Sequence, residues 1–195
     1  MNYLAHIALS QPNSYSLVGN LLGDFCKGVQ IETLPQAVRQ GLANHRAVDH
    51  FTDHHPLVRR AKTHFSVQRR RFAGIALDVL FDHFLISHWS EFYSLSFAAA
   101  KQQIYNDIAA AEHLMPPAMA NTMRNVYQTD WFASYEQLPS LGYALDRIAE
   151  RIRFTNQFSG VIGEIEPVYS KLEQDFLQFY PQLQQHVQQL GLEQN

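Results

Sequence analysis

Two stretches of the chain carry ionisable residues at a spacing that could do chemistry. In Asn44-His45-Arg46-Ala47-Val48-Asp49-His50-Phe51-Thr52-Asp53, the residues His45, Asp49 and Asp53 follow one another at intervals of four. Four residues is about one helical turn, so the three share a face. Asp78 and Asp82 repeat the interval in Leu77-Asp78-Val79-Leu80-Phe81-Asp82-His83, among apolar neighbours. Two carboxylates in apolar surroundings repel one another, and a divalent cation keeps both ionised. The plainer readings are a solvated stripe for Asp78 and Asp82, paired with Arg70 or Arg71, and a simple His–Asp hydrogen bond for His45 and Asp49. Asp24, in Gly19-Asn20-Leu21-Leu22-Gly23-Asp24-Phe25, reads by itself as a cap. His6, in an apolar opening segment, reads as a hydrogen-bonded core histidine.

The distribution of these residue types is uneven. Eight of the ten histidines lie at or before position 88. Up to position 90 there are five aspartates and one glutamate; beyond it glutamate leads eight to four. Glutamate is the better helix former, so aspartates held inside helical stretches need another reason, and a metal or acid–base site is one. No Gly-rich phosphate loop, GxSxG, HExxH or CxxC competes. Cys26, the one cysteine, has no neighbouring base and reads as a small buried thiol. Carboxylates and imidazoles on helices fit a hydrolase using one or two Mn-, Fe- or Mg-like ions, which lower the pKa of a water and hold phosphoryl oxygens.

The elements that must position these groups are helical. Apolar residues recur at three and four, and glycine and proline are sparse. The pattern predicts helices over 2–9, 15–26, 35–54, 56–65, 69–93, 97–113, 117–127, 141–155 and 165–190. No repeat, linker or composition break divides the chain, so the expectation is a single all-α domain of eight or nine helices over 1–195. Its 195 residues suffice for a core and a cleft. A net charge of -3 argues against a dedicated nucleic-acid binder, and one cysteine excludes a disulfide framework. Neither a secretory signal nor a membrane-length apolar run is visible, so a soluble cytoplasmic protein is expected.

One segment runs against the overall charge. Between positions 59 and 71 stand Arg59, Arg60, Lys62, Arg69, Arg70 and Arg71, with no acid among them. Local positive charge on a negative chain suits the docking of an acidic partner, although a charge run is more often a solvated face.

Taken in order, Met1-Asn2-Tyr3-Leu4-Ala5-His6, the 19–25 segment, His45-Arg46-Ala47-Val48-Asp49 with Thr52-Asp53, and Leu77–Leu85 resemble the acyl carrier protein phosphodiesterase family. The likeness extends through His88-Trp89-Ser90 to Leu172–Pro181. It implies an HD-like all-α phosphoric diester hydrolase that removes 4'-phosphopantetheine from the serine of holo-acyl carrier protein. It also implies a divalent metal, manganese first, with magnesium or iron(II) as alternatives. On that resemblance His6, Asp24, Asp78, Asp82 and His83 are expected at the metal, with His45, Arg46 and Asp49 in catalysis. Arg46 would take a non-bridging phosphate oxygen, Asp49 or a histidine would carry a proton, and the basic segment would meet the acidic carrier. The His-Asp doublet of the wider HD superfamily is missing; only the reversed Asp49-His50, Asp53-His54 and Asp82-His83 occur. The competing readings are an HD-like phosphohydrolase acting on a small nucleotide and a non-catalytic helical binding protein.

Overall fold

The computed structural model describes residues 1–152, 154 and 156–194. Among them every regular element is helical, with eleven α-helices and no strand. Eight of the eleven have seven residues or more: α2 (Ser14–Leu22), α3 (Gln36–His54), α4 (Pro56–Lys62), α5 (Ala73–Ser87), α7 (Phe97–Ala111), α8 (Pro117–Gln128), α9 (Leu138–Arg151) and α11 (Tyr169–Leu190). The short ones are α1 (Tyr3–Ala8), α6 (Trp89–Phe92) and α10 (Ile162–Ile165). No described helix is long and apolar enough to cross a membrane.

Local chemistry sets most boundaries. The side chain of Asn13 accepts the Ser16 N–H at 2.9 Å and starts α2. Pro35 stands just before α3 rather than inside its first turn. That helix ends at His55, whose extended backbone leads into Pro56. Gly191, at φ 54°, closes α11 in the left-handed conformation that glycine adopts without penalty.

Two expected helices differ in extent. The run predicted over 69–93 becomes a 3-10 turn, Arg70–Phe72, then α5, then α6. The break falls at His88, whose ring nitrogens engage Glu91 at 2.6 Å and Glu173 at 2.9 Å. The last expected helix, over 165–190, starts at Tyr169 as α11, after a 3-10 turn at Pro167, and the short α10 before that turn was not expected. The helix expected over 141–155 is α9, and the later positions Arg153 and Thr155 lie outside the described residues.

The core is one contiguous cluster to which α5 contributes on nearly every side. Phe81 and Phe84 of α5 meet Phe176 of α11 at ring distances of 5.3 and 5.7 Å. The contact that matters most for the site is between α2 and α3. A Cβ on Gly19 would lie 2.3 Å from the Val38 carbonyl oxygen and 2.8 Å from Gly41 Cα. Only glycine permits that approach, and it brings the last turn of α2 against the first two turns of α3.

Candidate metal centre

The closely packed helix pair orients the first ligand candidate. His45, buried on α3, places Nδ1 2.7 Å from the backbone oxygen of Asn20 on α2. Donation to that carbonyl leaves Nε2 to face Asp49 Oδ2, one turn along α3, at 3.1 Å. Gly23, where α2 gives way to a 3-10 turn, makes room for the ring: a Cβ there would lie 2.0 Å from His45 Nε2.

The second imidazole comes from α1. His6 is 1% exposed and stacks on His45 with ring centroids 3.9 Å apart and planes 18° from parallel. Its Nε2 lies 3.2 Å from Asp49 Oδ1, yet neither ring nitrogen makes a well-directed hydrogen bond. An orphaned imidazole at full burial is costly, and burial drives its pKa down to about 4. His45 shifts the other way: desolvation pulls its pKa down, but Asp49, the Asn20 carbonyl and Asp24 together outweigh it and raise the pKa. Asp49 is desolvated too, but contacts from His45, His6 and the Met1 α-ammonium hold its carboxyl well below the usual range.

His6, His45 and Asp49 bring one ligand atom each to within 4.8 Å of one another. This group could hold a metal ion. Two neutral imidazole nitrogens and a carboxylate oxygen are the donor set that divalent transition metals take, and the orphaned nitrogens of His6 fit such an ion better than they fit an ordinary core.

Two further carboxylates stand beside the group. The α-ammonium of Met1 lies 3.2 Å from Asp49 Oδ1 and 3.1 Å from Asp78 Oδ1, so a cation already bridges α3 and α5 here. Those two carboxylates raise the amine pKa to about 10 in spite of its burial. Asp78 and Asp24 line a cavity of about 320 Å³ that opens from Met1 towards Trp131 and Arg151. Asp24 is exposed and lines the cavity wall. Desolvation, reinforced by Asp49 and Asp78, raises its carboxyl pKa against the pull of His45.

The other expected site residues lie elsewhere. Asp82, fully buried, accepts the backbone N–H groups of Leu4 at 3.2 Å and Ala5 at 3.1 Å, which begin α1. Burial lifts its pKa to about 7 despite those two donors. His83 turns to the Tyr135 carbonyl (2.6 Å) and the Tyr169 hydroxyl (2.8 Å), away from the cluster. Arg46 is exposed and lines neither the cluster nor the cavity beside it. Asp53 pairs with Lys62 at 2.8 Å. In the basic segment Arg60 pairs with Asp175, while Arg69 engages Glu164 and the carbonyls of Gln157 and Ser159. Arg71 lies over the rings of Phe72 and Phe154. Reading the residues alone missed Gly23 and the Met1 amine. The Gly19-x3-Gly23 spacing at the end of α2 was the available signal for the first.

The comparisons with known proteins cover the whole of this arrangement. The sequence model of a family described as "Acyl carrier protein phosphodiesterase" matches residues 1–183. A protein of that name from Serratia proteamaculans is 39% identical over 186 residues, 95% of this chain and 96% of its own. Those from Yersinia pestis and from an Escherichia coli O45:K1 strain are 34% identical over 189 residues and 33% over 198, covering 96% and 98% of this chain and 98% and 100% of theirs. No solved structure matches. The chain therefore belongs to the acyl carrier protein phosphodiesterase family.

Proposed function

We propose that His6, His45 and Asp49, with Asp78 on the open side, hold the divalent cation, manganese first, with which this hydrolase turns holo-acyl carrier protein into the apo form. The bond broken is the phosphodiester between 4'-phosphopantetheine and the carrier serine. One observation carries the site assignment: a buried His6 with no directed hydrogen bond, stacked on a second imidazole and facing a shared carboxylate. A bound divalent ion supplies Lewis acidity towards the phosphoryl oxygens and lowers the pKa of a water.

The chain's own residues do the rest. The Asn20 carbonyl holds His45 in one tautomer, so that Nε2 stays directed inward. Asp24 stands at the open mouth with a raised carboxyl pKa, suited to giving the departing serine oxygen its proton. This role replaces the ligand role expected of Asp24 from the sequence. Asp82 keeps α1, and with it His6, in register by capping the Leu4 and Ala5 N–H groups. The acidic carrier would meet the exposed side chains of the basic segment, Arg59 and Arg70 foremost, because Arg60, Lys62 and Arg69 already pair with carboxylates of the chain.

Mass analysis of holo-carrier incubated with the enzyme and manganese tests the proposal. The expected product has lost the mass of phosphopantetheine, and Asp49→Ala protein leaves the substrate intact and binds less metal. Intact holo-carrier alongside hydrolysis of free nucleotides would instead favour a nucleotide phosphohydrolase. Unchanged metal content in both His6→Ala and Asp49→Ala proteins would remove the site as drawn.

A further inference from the structure

Beside the cavity that holds Asp24 and Asp78 lies a second, of about 290 Å³, between the end of α8 and the outer face of α9. The two share Trp131, Tyr135, Ile148 and Arg151 as a common wall. Each is near the lower limit for a small-molecule site, and because they adjoin at those four residues, a ligand in the outer groove comes up to the candidate centre at Arg151.

The lining of the outer groove is of mixed chemistry. Trp131, Tyr143 and Ile148 supply apolar wall, while Asn125, Ser134 and Ser140 supply hydrogen-bonding groups. Tyr143 is 74% exposed and makes no ring contact among the described residues. The wall is also well supported. Asp130 holds a left-handed backbone at φ 45°, where a residue other than glycine is uncommon. Its carboxylate accepts the Tyr105 hydroxyl at 2.8 Å and Lys101 at 3.1 Å, which fix the turn that presents Trp131. The Trp131 indole N–H in turn donates to the Tyr135 hydroxyl at 2.6 Å.

Charge marks the inner end. Arg147 and Arg151 are one turn apart on α9, and both line the groove. Neither forms an ion pair among the described residues, in contrast to Arg60, Arg69 and Lys62. Arg151 reaches the cavity of Asp24 and Asp78, with its guanidinium carbon 6.0 Å from the Trp131 ring. An unpaired guanidinium beside a carboxylate-lined centre suits an anionic phosphoryl group.

We propose that this groove receives the pantetheine arm of the substrate, with Arg151 on the phosphate at its inner end and the amides and gem-dimethyl carbon along the α8–α9 wall. The inference rests on the holo-carrier reading given above and says which side of the phosphorus each half of the substrate occupies. The arm lies towards Tyr143, and the serine and its carrier lie on the side of Asp24. Arg151 then does what was expected of Arg46.

Binding of free 4'-phosphopantetheine and of inorganic phosphate, measured by calorimetry on the manganese-loaded protein, tests the assignment. Ala144→Trp fills the outer groove from α9 without touching Asp24 or Asp78. It should weaken 4'-phosphopantetheine at least tenfold and leave phosphate unchanged, whereas Arg151→Ala should weaken both. Should Ala144→Trp fail to fold, Tyr143→Ala carries the same test at an exposed position, with a threefold or greater loss for the arm alone expected. Wild-type affinity for 4'-phosphopantetheine in a folded groove variant, or no binding by the wild type, overturns the assignment. If the wild type still strips holo-carrier in that case, the proposed function stands and only the groove is lost. If it does not, the function itself has failed.

Discussion

Helices α3 and α5 each bring a pair of ionisable residues four apart towards the candidate site, His45/Asp49 and Asp78/Asp82, and the fold uses the two pairs differently. His45 and Asp49 on α3 both face the candidate centre and contact one another at 3.1 Å. On α5 the pair separates by role: Asp78 reaches the Met1 amine beside the centre, whereas Asp82 caps the start of α1. The cause is the surroundings of each helix. Half of α3 is solvated, so one face can be given to polar chemistry, while α5 is buried on nearly every side and meets a different neighbour at each turn. Identical spacing therefore meant partnership on the amphipathic helix and divergence on the buried one.

The sharpest way to break this contrast is to remove one carboxylate from each helix. Asp49→Ala should lower turnover of holo-carrier by about 10²–10⁴-fold while the protein stays folded, read by steady-state rates and circular dichroism. Asp82→Ala should instead cost about 3 kcal/mol of stability in urea unfolding, since it strands two buried N–H groups, with a smaller loss of metal affinity than Asp49→Ala because His6 is displaced with α1 while His45 and Asp49 stay. The reverse pattern, with activity lost through Asp82 at full stability, would sink the division of roles.

Gly23→Ala probes the α3 pair more gently. The added methyl would collide with the His45 ring, so metal affinity should fall by about 10–100-fold, with a smaller change in melting temperature. Unchanged affinity in metal titrations would mean that the ring has room to spare.

A smaller effect separates the helices by pH. The folded pKa of Asp82, about 7, lies above its ordinary 3.8, so the folded state holds an extra proton and stability falls as pH rises through that window. His6 acts oppositely: its folded pKa, about 4 against an ordinary 6.5, makes stability rise over nearly the same range. In Asp82→Asn the Asp82 contribution is gone, while those of His6 and the other groups remain. Its stability, relative to wild type, should increase between about pH 4 and 7 and level off above. Parallel pH profiles for the two proteins would show that Asp82 ionises normally.

The opposing fates of the arginines extend the lesson. In sequence the run from Arg59 to Arg71 stood out, and Arg147 and Arg151 did not. Three cations of the run are held by Asp175, Asp53 and Glu164, all distant in sequence or on another element, while the α9 pair is left facing a groove. Charge density along a chain says nothing of which acids will fold back onto it.

What the sequence determined by itself was the class of element and the inventory of chemistry. Helical periodicity located nearly every helix because burial of an apolar stripe is a local pattern, and the four-residue spacing of His45 and Asp49 survives folding because both ride on one rigid turn. The motifs in order were also enough to carry the family resemblance. Only the tertiary structure decided which residues meet. His6 joins the α3 pair through an α1 whose position depends on Asp82, and His45 finds its place because Gly19 and Gly41 let two backbones touch. Those contacts join residues 39 to 78 positions apart, or depend on the absence of a side chain, and neither leaves a periodic trace in the chain.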